Sequence, residues 1–337
     1  MLNNQSLYFI AEIGLNHNGN LNIAKKTILA AKLSGAHAVK FQAFKTEEFL
    51  SDKKSKYKYQ NNKKIKKENM FNMFKRLEFK NSWFKILKKY CDKIKIDFLM
   101  SVADIESAKK YLKIDPVAIK VSSEDIINYP LLKFLSETNK EIILSTGMAD
   151  AGEIKKAIHI FKNKKKLILM HCVSLYPTKI YEANLNRIKS LREKFRLRIG
   201  YSDHTIGLDA SKIAYIMGAK IIEKHFTFSN RLVGPDHKMS INRNQLKNLI
   251  IQIKKIDDFL DNGAINPRGR EIFSKINFRR SIVAKIKIKK NSIIKSNMLA
   301  LKRPGTGIHP INIKQIINKK SIKNYDINEQ ILIKNLK

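Results

Sequence analysis

Eight short runs of apolar, largely β-branched residues punctuate the chain as far as His225: Tyr8–Ile13, His37–Gln42, Asp97–Val102, Val117–Ser122, Glu141–Thr146, Leu167–Val173, Arg198–Ser202 and Lys220–His225. Each is nearly continuous in hydrophobicity, as expected of strands covered on both faces. Between them the spacing turns helical. Ala24, Thr27, Ile28 and Ala31 follow the i, i+3, i+4, i+7 pattern, as do Ile154, Ala157, Ile158 and Phe161, and Ala210, Ile213, Ala214 and Met217. Asp150 with Glu153 reads as a capping box that starts a helix, and Gly35 and Gly218 fall where helices should stop. Strand and helix in alternation predict parallel strands joined by crossovers. Eight such units, ending near residue 262, match the ~250 residues of a (β/α)8, or TIM, barrel. The predicted fold is therefore α/β, with a catalytic barrel over residues 1–262.

The character changes after Asp261. Residues 262–269 (NGAINPRG) are turn chemistry, and 263–278 are expected to be a linker. From Arg279 the sequence alternates apolar and basic residues (SIVAKIKIKKNSII), which predicts a small, mostly β module at 279–337. A module of this size buries little core by itself, so it is expected to lean on the barrel or on a neighbouring subunit. No solenoid-type repeat is present.

Composition adds limits. Only two cysteines, Cys91 and Cys172, occur, far apart in apolar or helical surroundings, which fits a reducing cytoplasm better than a secreted disulfide framework. Met1 to Ser6 lack a basic segment followed by an apolar core, and no apolar run approaches the ~20 residues that span a bilayer, so no membrane association is expected. The formal net charge is +38, from 67 Lys and Arg against 29 Asp and Glu. That excess would attract a nucleic-acid backbone. It is mostly lysine spread over nearly every helix, however, and solvated helix faces explain it more simply. The densest run, Lys53–Lys67 (KKSKYKYQNNKKIKK), carries two tyrosines able to stack on bases, and reads as an exposed barrel loop near an anionic substrate.

Barrel enzymes build their sites at the carboxyl ends of the strands. Polar residues collect there in almost every unit: Glu12 with His17 and Asn18, Lys40 with Gln42, Lys120 with Ser123, Ser145 with Thr146, His171 with Tyr176, Asp203 with His204, and Glu223 with His225. Two lysines pointing into a barrel mouth are costly unless an anion meets them, so Lys40 and Lys120 imply a phosphate or carboxylate ligand. The alternative pairs them with Glu12 or Glu223 as a structural ion pair. Ser123, Ser145, Thr146 and the backbone at Gly147 could add donors to an anion. His204 and His225 end neighbouring strands and could share one metal ion, leaving positions open for water and substrate, with Glu223, Asp236 and Asp203 behind them. Two histidines alone are weak evidence, since ordinary hydrogen-bonded imidazoles look the same.

Nine stretches carry a resemblance. AEIGLNHNG (11–19), VKFQAFK (39–45), IKVSSE (119–124), ILSTGM (143–148), HCVSLYP (171–177), GYSDHT (200–205), IEKHFT (222–227), GPDHKMS (234–240) and the tail LKRPGTGI (301–308) together resemble the bacterial N-acetylneuraminate (sialic acid) and legionaminate synthases with their antifreeze-like (SAF) domain. The resemblance runs from end to end. It implies a cytoplasmic, domain-swapped homodimer that condenses phosphoenolpyruvate with N-acetylmannosamine or a 2,4-diacetamido-6-deoxy-mannose-type sugar, releasing phosphate. The implied cofactor is a divalent metal, Mn²⁺ foremost, with Mg²⁺ or Co²⁺ as alternatives, held by His204 and His225 and polarising the sugar's aldehyde. By position Lys40, Lys120, Ser123 and Ser145 would bind phosphoenolpyruvate, with Lys120 acting in catalysis beside the carboxylates Glu12 and Glu223. Gln42, Ser174, Tyr176 and Asp236 would contact the sugar, and Arg303 would reach from the small domain into the partner's active site to hold the N-acetyl group.

Two departures bear on the sugar rather than the reaction. Where many relatives have Ser-Thr-Pro-Phe after the third strand, this chain has Met-Ser-Val-Ala (100–103), and Ser174 stands where some sialic-acid enzymes have Asn. The opening AEIGLNHNG with KFQ sits closer to the sialic and legionaminic branch than to the pseudaminic one. A pseudaminic acid synthase, another phosphoenolpyruvate-dependent sugar-acid synthase acting on a phosphorylated aldose, and a basic nucleic-acid-binding barrel without activity remain the rival readings.

Overall fold

Parallel strands need long crossovers, and the amphipathic segments supply them. A computed structural model describes residues 7–61 and 64–337. The stretch 1–6, read above for a leader, and positions 62–63 of the lysine run lie outside the described residues. The strands of the first unit are β1 (Tyr8–Gly14), β2 (Ala38–Ala43), β3 (Lys56–Asn61), β4 (Lys64–Asn69), β5 (Asp97–Val102), β6 (Ala118–Val121), β7 (Glu141–Ser145), β8 (Leu167–Cys172), β9 (Arg198–Asp203) and β10 (Ile221–His225). Eight of them, all parallel, close a barrel in the order β1-β2-β5-β6-β7-β8-β9-β10, with β10 paired back to β1. The eight predicted runs are these strands, and the TIM-type fold is confirmed.

Side chains alternate between the barrel interior and the surrounding helices. Tyr8, Ile10, Ala38, Leu99, Ala118, Ile143, Ile168, Met170 and Ile221 fill the lower interior as one apolar cluster. The outward residues join the helices in a much larger core that includes Phe9, Val39, Phe41, Phe98, Leu144 and Ile222. Helix Leu21–Leu33 buries Ala24, Thr27, Ile28 and Ala31 as its spacing predicts, and helix Ala151–Ile160 opens on the Asp150–Glu153 capping box. Helix Asp209–Ile216 departs from expectation. It buries Ser211, Ala214 and Tyr215, whereas Ile213 is 47% exposed. The rotation lets Ser211 donate to Asp203 at 2.6 Å and Tyr215 donate to Asp257 at 2.7 Å, so polar pairing outranked the apolar stripe.

The lysine-rich run is not an irregular loop. β3 and β4 form an antiparallel hairpin, followed by helix Met70–Leu77. Tyr59 is buried with Leu15, Phe44, Met73 and Leu77, and Tyr57 and Phe74 pack against them, so the hairpin turns its tyrosines inward. Both cysteines are free and buried. Among the described residues no helix is long and apolar enough to cross a membrane.

Residues 262–337 form a second compact unit. Part of the segment read as linker is helical, Arg270–Phe278, with no side chain buried. Strands β11 (Ser281–Ala284) and β12 (Leu299–Lys302) pair antiparallel, and isolated bridges and 3₁₀ turns complete the mostly β module. Its core gathers Ile282, Ala284, Ile288, Ile294, Leu299, Ile316, Tyr325 and Ile331.

Candidate active site

Above the apolar layer the inward positions turn polar. Glu12 on β1, Lys40 and Gln42 on β2, Ser101 on β5, Lys120 on β6, Ser145 on β7, Cys172 on β8, Ser202 on β9, and Glu223 and His225 on β10 all line one cavity. The loops add Ser122, Ser123, Glu124, Tyr176 and His204. Ten of the thirteen residues read from the sequence as site residues therefore share this mouth.

Its centre is a buried charge network. Lys40 Nζ lies 2.9 Å from Glu12 Oε2 and 3.6 Å from Glu223 Oε1, and Lys120 Nζ lies 3.5 Å from the same Glu223 oxygen. Gln42 donates to Glu12 at 3.0 Å and Ser202 donates to Glu223 at 3.0 Å. The ion pairs that stood as the alternative reading are thus present. They leave donors over, because each ammonium has three N–H groups and Lys120 has one carboxylate at 3.5 Å. The two acids are driven apart. Burial raises the Glu12 pKa despite Lys40, whereas Lys120 and Lys40 together outweigh burial at Glu223 and hold it at about 2. Lys40, facing two carboxylates, is held above its usual value against the pull of burial.

A second nook opens beside Lys120. Ser123 Oγ is 2.9 Å from Cys172 Sγ and accepts from the Gly147 N–H at 3.2 Å. A Cβ on Gly147 would lie 2.5 Å from Ser174 Oγ, 2.7 Å from Ser123 Oγ and 2.9 Å from Cys172 Sγ, so only glycine lets these groups converge. Ser174 thus borders the mouth without lining its main cavity.

The two imidazoles stand with ring centroids 5.8 Å apart. His204 Nδ1 meets the Val173 carbonyl at 2.7 Å; a carbonyl only accepts, so Nδ1 carries the proton and Nε2 presents a lone pair. His225 Nδ1 is buried without a hydrogen-bond partner, 3.9 Å from Asp236 Oδ2. Burial depresses both histidines, His204 to about 4, which keeps them neutral as ligands must be. Burial, with Glu12 behind it, lifts Asp236 to about 7. Neutral, proximate imidazoles with a spare nitrogen fit a divalent cation. Among the described residues no cluster of three or more His, Cys, Asp or Glu makes a complete cage, so water and substrate would supply the remaining ligands. Tyr176 lies over His204 at 4.2 Å between centroids.

Strand parity diverts several residues expected at the mouth. Asp203 points outward, ion-paired with Lys224 at 2.8 Å and accepting from Thr205 and Ser211; it does not back the imidazoles. His171, also outward, stacks on Tyr201 and meets the Ala183 carbonyl at 2.9 Å. His17 packs edge-on against Trp83, and Asn18 donates to the Val233 carbonyl, so both shape the loop after β1. Thr146 hydroxyl donates to the Met170 carbonyl. Arg303 belongs to the second unit, where its guanidinium lies 5.3 Å from the Phe278 ring centroid. Sequence reasoning missed Ser101, Glu124, Cys172 and Ser202. Ser202 was recoverable, since it stands two residues before His204 on the same strand face.

A (β/α)8 barrel whose mouth sets two buried ammoniums and two carboxylates beside paired imidazoles has the form of a barrel enzyme's active site. Comparison with known proteins makes this specific: the chain belongs to the NeuB family, whose model matches residues 27–264, and its tail matches the SAF domain at 279–337. It is 40% identical to the N,N'-diacetyllegionaminic acid synthase of Campylobacter jejuni, over 96% of this chain and 98% of that one. Identity to the synthase of that name from Legionella pneumophila is 35%, over 96% and 93%. The crystal structure of an N-acetylneuraminic acid synthetase from Leptospira borgpetersenii in complex with citrate superposes with a TM-score of 0.72 at 36% identity, covering 80% of this chain and 90% of that one.

Proposed function

We propose that this protein is a nonulosonic acid synthase that condenses phosphoenolpyruvate with N-acetylmannosamine or a 2,4-diacetamido-6-deoxy-mannose-type sugar. The observation that carries the reading is the convergence of Lys40, Lys120, Glu12, Glu223, His204 and His225 on one cavity. The nucleophilic carbon of phosphoenolpyruvate bonds to the aldehyde carbon, water adds to the neighbouring cationic carbon, and the carbon–oxygen bond to phosphate breaks. One proton of the water goes to the former aldehyde oxygen, making the new hydroxyl, and the other leaves with phosphate as the water oxygen becomes the ketone.

Each step has a group suited to it. Lys40 and Lys120, with the Ser123 and Ser145 hydroxyls and the Gly147 N–H, suit the carboxylate and phosphate of phosphoenolpyruvate. Glu223, kept ionised, faces the carbon where positive charge develops. Glu12, the more readily protonated acid, orients or deprotonates the water. Gln42, Ser174, Tyr176 and Asp236 surround the sugar. A divalent cation at His204 and His225, proposed as Mn²⁺ with Mg²⁺ or Co²⁺ as substitutes, would supply polarisation of the aldehyde when bound. The names of the two legionaminic acid synthases and of the sialic acid synthetase support this range of products. A cytoplasmic domain-swapped homodimer, with Arg303 reaching a partner's sugar site, is proposed on the resemblance alone.

The test is phosphate release from phosphoenolpyruvate by purified protein with Mn²⁺, with product mass. Release is expected only when one of the two sugars is present. If neither sugar triggers it, the substrate assignment is wrong; preference for a phosphorylated aldose would favour the related three-deoxy sugar-acid synthases.

A further inference from the structure

The cavity wall is polar around most of its circumference, but one arc is not. Ala43 ends β2 and Phe44 follows it, Ala103 follows β5, and Phe74 comes from the helix behind the hairpin. The Phe44 and Phe74 rings meet edge to face at 5.6 Å, and Tyr57 flanks Phe74 at 6.4 Å. Leu15, Tyr59, Met73 and Leu77 hold the pair from behind, so the arc is a packed surface rather than two loose side chains. β2 and β5 are neighbours, and in the closed strand order β5 stands across the mouth from β9, after which His204 follows, and β2 across from β8. A sugar whose reacting aldehyde lies toward the imidazoles therefore turns its other end toward these rings.

Resting on the function proposed above, we infer that Phe74, backed by Phe44, is a specificity-determining residue that selects an acceptor sugar ending in a methyl group. A hydroxymethyl pressed on the rings gives up water hydrogen bonds, and none of the four side chains of the arc offers a replacement. A phosphate would lose more, since none of the four carries a charge. A 6-deoxy carbon loses nothing and gains apolar contact. Apolar pockets reject an added hydroxyl only modestly, by up to about a hundredfold, so the expected discrimination lies between roughly tenfold and a hundredfold.

The test uses a sugar pair that differs at one atom: N-acetylmannosamine and its 6-deoxy analogue, compared by kcat/KM for phosphate release with the intact protein and Mn²⁺. The wild type should favour the 6-deoxy sugar at least tenfold. Phe74→Ser should bring the two within about threefold, mainly through a higher KM for the deoxy sugar, while Phe74→Leu keeps the preference. Equal use of both sugars by the wild type overturns the inference, and needs no variant to have folded. So does a Phe74→Ser protein with an unshifted melting temperature that slows both sugars alike. Failure of every sugar to release phosphate instead defeats the parent reading.

Discussion

Replacing Lys40 with methionine removes the hub of the charge network while keeping most of its bulk. At an effective dielectric of about 20, a unit charge pair at 2.9 Å is worth roughly 6 kcal/mol and one at 3.6 Å roughly 5. Most of that offsets the cost of burying three charges, and breaking such a pair typically costs about 3–5 kcal/mol. The loss has a built-in limit, because Glu12, already raised by burial, can take up a proton once its cation is gone. The folded variant then binds more protons than its unfolded chain, so its stability falls as pH rises. Denaturant unfolding of wild type, Lys40→Met and Lys40→Met/Glu12→Gln at pH 5.5 and 7.5 reads this directly. The single variant should lose about 3–5 kcal/mol at pH 7.5 and less at pH 5.5, and the second substitution should recover part of the loss at the higher pH. Neither variant should release phosphate. A single variant as stable as wild type, or a deficit that grows on acidification, would refute the account of the network.

His225→Ala, or chelation of the wild type, should abolish phosphate release while circular dichroism and melting temperature stay close to native; undiminished turnover after either treatment would end the metal proposal. Gly147→Ala should raise KM for phosphoenolpyruvate at least about tenfold, because its Cβ falls 2.5–2.9 Å from three groups of the Ser123 nook; an unaltered KM would remove that nook from substrate binding. Buried His17 and His237 are depressed to about 4 from 6.5, so their unfolded forms bind protons first and stability should decline as pH falls from about 6.5 toward 4. Each contributes on the order of 3 kcal/mol; a flat stability profile across that window in a His17→Gln comparison would contradict it.

The barrel was legible because its strands are apolar on both faces and its helices announce their caps, as Asp150 and Glu153 do. Which polar residues enter the mouth was harder to read. Asp203 and His204 are adjacent in sequence, yet one faces the helices and the other the cavity, and parity can be counted only once a strand's register is fixed. His171 was misplaced for that reason, and Cys172 overlooked. The hairpin had a readable signal in Lys56-Tyr57-Lys58-Tyr59, a period-two alternation, but the lysines made it resemble a solvated loop. Ser211 defeated the helix reading because its burial depends on Asp203, on the strand just before the helix, turning outward to meet it. The aromatic arc was invisible, since Phe44 and Phe74 meet only after the hairpin has folded back.

The outward pair of Asp203 with Lys224 has a consequence for assembly. These two residues are direct partners in the β9–β10 ladder, flanked by Ser202 opposite Glu223 on the inner face. Sliding one strand by a single position would turn Lys224 into the mouth and Glu223 out against the helices, breaking the Asp203 pair and the contacts of Glu223 with Lys40 and Lys120. Charge therefore proofreads the closure of the cylinder, and the alignment that keeps the two strands neutral outside is the one that brings Glu223 and His225 to the mouth.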